Sequence, residues 1–304
     1  MTLAASLASV FGDDVEVLDR TRNLFTSTFP SEIVTCRLKG GLTRRMLCKH
    51  TGGQEHNAFG HRAGLGYEGM VYRRVLVPLG VSAPALYGEF TDSETGEPWL
   101  AIEYVDEATL ADGAPDIPRA LELASAWAGR FHALTDSGAF DFLTRYDRDY
   151  YAQWAARTSV LAVNWHSRLP WLEGLCSRAW EMLGGIADLK STVIHGEFTP
   201  HNILVRGDEI FPIDWESAAI GLPEIDLVCL VDKWPQHIAS RCEQAYAMAR
   251  FRSGVPPDWN RTVDLARLYW DFRWLGDRPD WTASEKVGPR FEHLRGTSER
   301  LGLL

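Results

Sequence analysis

The strongest constraint on how this 304-residue chain folds is a change of hydrophobic period near residue 105. Before that point apolar residues come in short, strand-like runs. Runs at 32–38 and 42–49 enclose Lys39-Gly40-Gly41, where paired glycines tolerate the positive φ of a tight hairpin. Two more strand-like runs, 84–90 and 99–105, are joined by the turn-rich 92–96. Between the two pairs, 52–66 is rich in glycine and histidine and reads as a loop, while 67–79 places Met70, Val71, Val75 and Leu76 at helical spacing, with Glu68 in the first turn. Beyond 105 the period becomes helical, near 117–135, 147–161, 171–188, 223–252 and 259–275, interrupted by short strand-like pieces at 192–195, 202–206 and 209–214. The pattern predicts an α+β chain of two lobes: 1–105, an antiparallel sheet with one helix, and a larger, mainly helical 106–304.

Composition narrows the class. With 45% apolar and 24% charged residues the chain is globular, and no apolar run approaches the roughly 18 residues of a membrane span. Five widely spaced cysteines without a CxxC pair argue against both a disulfide framework and a zinc knuckle. Reduced thiols and a start lacking a basic, apolar leader predict a cytoplasmic protein that binds no membrane. The net charge of −10 argues against a nucleic-acid partner, whose phosphates call for a basic surface. Residues 1–105 hold ten basic and twelve acidic side chains against 21 and 29 beyond, so the acidity lies in the helical part. It favours a cationic partner, or simply keeps the surface solvated. Only five of the 31 basic residues are lysines, which singles out Lys49 at the end of an apolar strand.

The chemistry concentrates in His195-Gly-Glu-Phe-Thr-Pro-His-Asn202 and Ile213-Asp-Trp-Glu216. Two short apolar strands with oxygen-bearing side chains at their ends can present Glu197, Asn202 and Asp214 to a common point. Hard oxygen ligands suit Mg²⁺, which takes one or two carboxylates and shares its shell with phosphates and water. From the hairpin alone, an Asp214 that merely caps the next segment remains the alternative.

These runs, with Gly221-Leu-Pro-Glu-Ile-Asp-Leu227, resemble in order and spacing the motifs HGDxxxxN, IDxE and GxPxxDL of the aminoglycoside phosphotransferase and choline kinase family, small-molecule kinases of protein-kinase-like fold. The resemblance spans roughly residues 30–275. It implies Mg²⁺ and ATP, with GTP as an alternative, and a small hydroxylated, cationic acceptor. It makes Asn202 and Asp214 the metal ligands and Lys49 the holder of the α- and β-phosphates. Glu68, nineteen residues on, would be the ion-pair partner of Lys49, in preference to Glu55 in the glycine-rich loop. A solvent-facing Lys49 at a strand edge is the plain alternative. The resemblance further places Gly40, Gly41 and Thr43 in the phosphate-covering loop and the backbone of Glu103 and Val105 at the base. His195 and Asp226 would support the catalytic loop, Asp226 by capping the loop or helix after the metal strand.

One position departs from the family: Glu197 stands where its catalytic aspartate belongs. Glutamate keeps the charge and moves it about one methylene outward. The loop is then either adjusted to it or weakened, so a pseudokinase partner protein stands beside the active kinase, as does a kinase of peptide or protein side chains. Most of the twelve tryptophans read as helical core. Within Trp270-Asp-Phe-Arg-Trp274, Trp270, Asp271 and Trp274 are candidate acceptor contacts.

Overall fold

The computed structural model describes residues 3–12, 14–24, 28–51, 62–92, 96–136, 138–277 and 288–304. Glu55 and most of the loop expected at 52–66 lie outside them. The chain divides into two units, one of Met1–His56, Arg62–Leu110 and Asn202–Ser217, the other of Asn57–His61, Ala111–His201 and Ala218–Leu304.

The first unit is built on a five-stranded antiparallel sheet in the order β1-β2-β3-β5-β4, formed by Val15–Arg22 (β1), Ser31–Leu38 (β2), Thr43–His50 (β3), Leu86–Thr91 (β4) and Pro98–Glu103 (β5). The period of two sorts its faces. Met46 and Cys48 of β3, with Val34, Cys36, Trp99 and Ala101, join Leu3 and Leu7 of the helix Leu3–Phe11 in one apolar cluster. Lys49, adjacent to Cys48 and opposite Leu100 in register, therefore points to the other face. There a second helix packs against β5, running as Leu65–Val71, a wider π turn at Tyr72–Leu76, and Val77–Leu79. Pro78, which has no N–H to donate back, sits where that widening ends. Two helices, not the single one read from the sequence, thus flank the sheet. A second sheet, β10-β9-β6, completes the unit: Ile203–Arg206 (β9) and Glu209–Pro212 (β10) form a hairpin, edged by Thr109–Leu110 (β6).

The second unit is mainly helical: Ile117–Thr135, Arg148–Trp165, Trp171–Gly184, Glu224–Val231, Gln236–Arg250, Trp259–Asp277 and Gly288–Arg300. Asp116 and Asp147 cap the first two by accepting the backbone N–H of Arg119 (3.0 Å) and Tyr150 (2.8 Å). A small sheet joins Thr192–Ile194 (β8) to Ala219–Gly221 (β11) antiparallel and Thr144–Arg145 (β7) to β11 parallel. The stretch expected as one helix over 223–252 is two, broken at Asp232-Lys-Trp-Pro235. Pro235 disfavours helical backbone at the residue before it. Among the described residues no helix is long and apolar enough to cross a membrane.

Candidate active site

Each unit carries its own cluster. In the first, Lys49 reaches from β3 to the carboxylate of Glu68, with Nζ at 2.8 Å from Oε1 and 3.0 Å from Oε2, and it also donates to Oδ1 of Asp214. Lys49 is 6% exposed and Glu68 0%, so the ammonium is not the solvent-facing lysine that its place near a strand end allowed. Burial alone would push the ammonium's pKa down, but Asp214 and Glu68 beside it outweigh that and raise it. Burial raises the carboxyl of Glu68, and Lys49 works against that rise.

Asp214 is held by the hairpin that precedes it. The backbone N–H of Ile213 donates to the carbonyl of Asn202 at 2.9 Å, closing the hairpin one step beyond β10, and Asp214 then turns into the left-handed region at φ 63°. Its neighbour Trp215 donates its backbone N–H to Glu68 Oε1 at 3.3 Å and its indole N–H to the carbonyl of Pro212 at 3.1 Å. An aspartate kept in a backbone conformation that L residues rarely adopt is over-determined by these contacts. Its carboxylate belongs to the Lys49 cluster. Two residues on, burial lifts the carboxyl of Glu216 to about 7, and the Thr28 hydroxyl donates to it at 2.5 Å.

Asn202 and Asp214 flank this hairpin at its open end, Asn202 just before β9 and Asp214 just after β10. Among the described residues no group of three His, Cys, Asp or Glu side chains is placed to hold a metal, which disfavours an all-protein cage. One amide and one carboxylate oxygen fit an ion that takes the rest of its shell from phosphates and water. Gly40 (φ 90°) and Gly41 (φ 84°) form the turn between β2 and β3, where Gly41 N–H donates to the carbonyl of Leu38 at 3.0 Å. Thr43 opens β3, exposed, opposite Arg37. The N–H of Glu103 is already donated to the carbonyl of Ala85 (2.8 Å), so a base could meet the Glu103 carbonyl but not its N–H. Val105 follows, buried.

In the second unit the segment expected to be the catalytic loop hangs on Asp226. Its carboxylate accepts the backbone N–H groups of His195 (2.7 Å) and Gly196 (3.0 Å), so it braces the loop rather than capping its own helix, Glu224–Val231. His132 extends the brace, with Nε2 at 3.1 Å from Asp226 and Nδ1 at 2.9 Å from the Tyr246 hydroxyl. Burial lowers the pKa of this imidazole, so the ring is neutral, its Nε2–H donating to Asp226 and Nδ1 accepting from Tyr246. His195, fully buried, accepts the N–H of Glu197 on Nδ1 (3.3 Å), and Gly196 between them takes φ 80°.

Glu197 itself, its side chain 18% exposed, is paired with Arg273 at 2.8 Å. Sequence reasoning passed over Arg273, which lies 76 residues away in a stretch where Asp271 and the tryptophans drew attention. The helix Trp259–Asp277 splits that stretch between two faces. Trp270 lies under the Arg273 guanidinium, 5.3 Å from it, whereas Asp271 and Trp274 turn to Arg290. Asp271 is 0% exposed and held by Arg290 (2.8 Å) and His293 (2.8 Å). The proposed acceptor contacts therefore do not act as one group, and Asp271 is closed to a ligand. Trp281 lies outside the described residues.

Residues 68–265, about two thirds of the chain, match the sequence profile of the phosphotransferase enzyme family. The chain belongs to that family. No match at the same stringency is found among curated proteins. Among solved structures it is similar to choline kinase LicA from Streptococcus pneumoniae (14% identity, covering 99% of this chain and 98% of that one, TM-score 0.59). It is similar also to macrolide 2′-phosphotransferase MphH from Brachybacterium faecium (18%, 96% and 94%, 0.56). A third is a choline/ethanolamine kinase family protein from Mesorhizobium loti (17%, 99% and 92%, 0.55). At these identities the likeness shows the fold, and it is the kinase-like one that the motifs implied: an antiparallel N-terminal sheet and a helical C-terminal part. This member of the phosphotransferase enzyme family is accordingly an enzyme of phosphoryl transfer.

Proposed function

We propose that the protein transfers the γ-phosphoryl group of ATP to a hydroxyl of a small molecule. The observation that carries this reading is the buried Lys49–Glu68–Asp214 cluster: an ammonium held between two carboxylates, one of them at a hairpin that also bears Asn202. Lys49 would bind the α- and β-phosphates, oriented by Glu68. Asn202 and Asp214 would hold Mg²⁺, which supplies neutralisation of the charge on the transferring phosphoryl group. Glu197 would accept the proton of the attacking hydroxyl while the chain fixes acceptor and nucleotide, since positioning carries most of the rate in such reactions.

Support for a nucleotide comes from relatives of the same fold, LicA in complex with AMP and aminoglycoside 2′-phosphotransferase-IIIa in complex with GDP, so GTP stands as the alternative donor. The acceptor is read as a small hydroxylated molecule of the size class that those relatives' names describe: an amino alcohol, an aminoglycoside or a macrolide. Asp271 plays no part in binding it. The exposed loop of Gly40, Gly41 and Thr43 is proposed to cover the phosphates, and the Glu103 carbonyl with Val105 to meet the base.

Nucleotide titration with and without Mg²⁺, followed by ADP release across a panel of hydroxylated amines, sugars and macrolides, tests the reading. Mg²⁺-dependent binding and acceptor-dependent ADP release are expected. Nucleotide binding with no release for any acceptor would replace the enzyme by a pseudokinase.

A further inference from the structure

The glutamate at position 197 raises a geometric problem that Arg273 resolves. Glutamate places its carboxylate about one C–C bond further from the loop than aspartate, on a longer and freer side chain. A misplacement on the order of 1 Å can lower a rate about a hundredfold. The structure supplies a clamp of matching reach. Arg273 Nη2 donates to Glu197 Oε1 at 2.8 Å while Nη1 donates to the backbone carbonyl of Gly196 at 2.6 Å. One rigid fork thus spans the loop backbone and the carboxylate that grows from it, fixing each relative to the other.

The fork is itself held. Arg273 is buried, lies over Trp270, and stands on a helix tied to its neighbour on both sides: Thr158 Oγ1 donates to the carbonyl of Phe272 (3.2 Å) and Arg157 Nε to that of Gly276 (2.8 Å). Asp226 grips the same loop from its other end through the N–H groups of His195 and Gly196. Gly196 is therefore held at its nitrogen by Asp226 and at its carbonyl oxygen by Arg273, one peptide on each side of its Cα. The charge left over from that grip meets Glu197.

We propose that Arg273 is the positioning residue that adapts this catalytic loop to glutamate, so that Glu197 and Arg273 work only as a pair. The proposal rests on Glu197 being the base. It explains how a loop departing from the family's aspartate can stay active: the longer side chain is pinned at its tip.

The test is steady-state kinetics, with melting, on wild type, Glu197→Asp, Arg273→Lys, Arg273→Gln and the double variant Glu197→Asp/Arg273→Gln. Arg273→Gln is expected to lower kcat between about tenfold and a hundredfold, with KM for ATP within about twofold. Arg273→Lys, which can hold one of the two oxygens but not both, should recover part of that loss. Glu197→Asp cannot reach the clamp and should be slower than wild type. The double variant should be no slower than the worse single, because the pair is already broken in each.

A kcat for Arg273→Gln within about twofold of wild type overturns the proposal. So do losses that multiply in the double variant. Should Arg273→Gln fail to fold, Glu197→Asp decides alone, and a turnover equal to or above wild type refutes the clamp. Wild type inert with every acceptor would sink the phosphotransfer reading first, and that failure is read on wild type without any variant.

Discussion

At the scale of single residues, the site's buried charges are balanced by one another rather than by water. Lys49 offsets two carboxylates, one fully buried, so its loss leaves Glu68 charged or forces a proton onto it. Breaking such a pair is destabilising by about 3–5 kcal/mol. Lys49→Met should therefore lose stability as well as turnover. Adding Glu68→Gln to Lys49→Met should restore part of the lost stability, read from denaturant midpoints at unchanged m-value; a further loss would mean that the two side chains are not a mutually compensating pair. His132 gives a second test. Because burial holds its pKa below the ordinary value, the folded protein stays unprotonated there while the unfolded chain takes up a proton as pH falls below about 6.5. The contribution is absent above that pH and destabilises progressively below it. Wild type should thus lose stability relative to His132→Gln between pH 7.5 and 5, by up to about 1.4 kcal/mol for each pH unit between the unfolded and folded pKa values. A pH-independent difference between the two proteins would show the ring titrating normally.

At the scale of elements, the strands β2, β3, β4 and β5 and the helix bearing Glu68 were legible because each has a clear period and glycine or proline punctuation. The hairpin of β9 and β10 was legible from two short apolar runs around Gly207. The helix Leu3–Phe11 was not. It is short, apolar almost throughout, and finds its role only against the sheet, so nothing in its own period announced a face. The edge strand β1 was missed for the opposite reason: its residues are mostly exposed, and burial alternates only over its first four, Val15 to Leu18. Leu7, fully buried between helix and sheet, measures what that helix contributes. Leu7→Ala should destabilise the protein by about 2–5 kcal/mol in denaturant unfolding. A change under about 0.5 kcal/mol would mean that the helix does not cover the sheet in solution. Of the site, the grouping of Lys49, Glu68 and Asp214 followed from the resemblance of several linked motifs to a known family. Arg273 could not, because an ion pair across 76 residues leaves no local mark.

At the scale of the whole molecule, the chain places Lys49, Glu68 and Asp214 in one folding unit and Glu197 in the other, with Asn202 beginning the segment Asn202–Ser217 that returns the chain to the first unit. Only four residues separate Glu197 from Asn202 in sequence, although the two are assigned to different units. Asp214 is the residue through which phosphoryl transfer is tested most directly, since asparagine keeps its size and shape while removing its charge. The most direct measurement is Mg²⁺-dependent, acceptor-stimulated ADP release by wild type and Asp214→Asn, compared at equal melting temperature. Turnover by wild type and a loss of at least about a hundredfold in the variant are expected, the scale that follows when a charge aimed at the transferring phosphoryl group is removed. Turnover by Asp214→Asn within about tenfold of wild type would contradict that expectation.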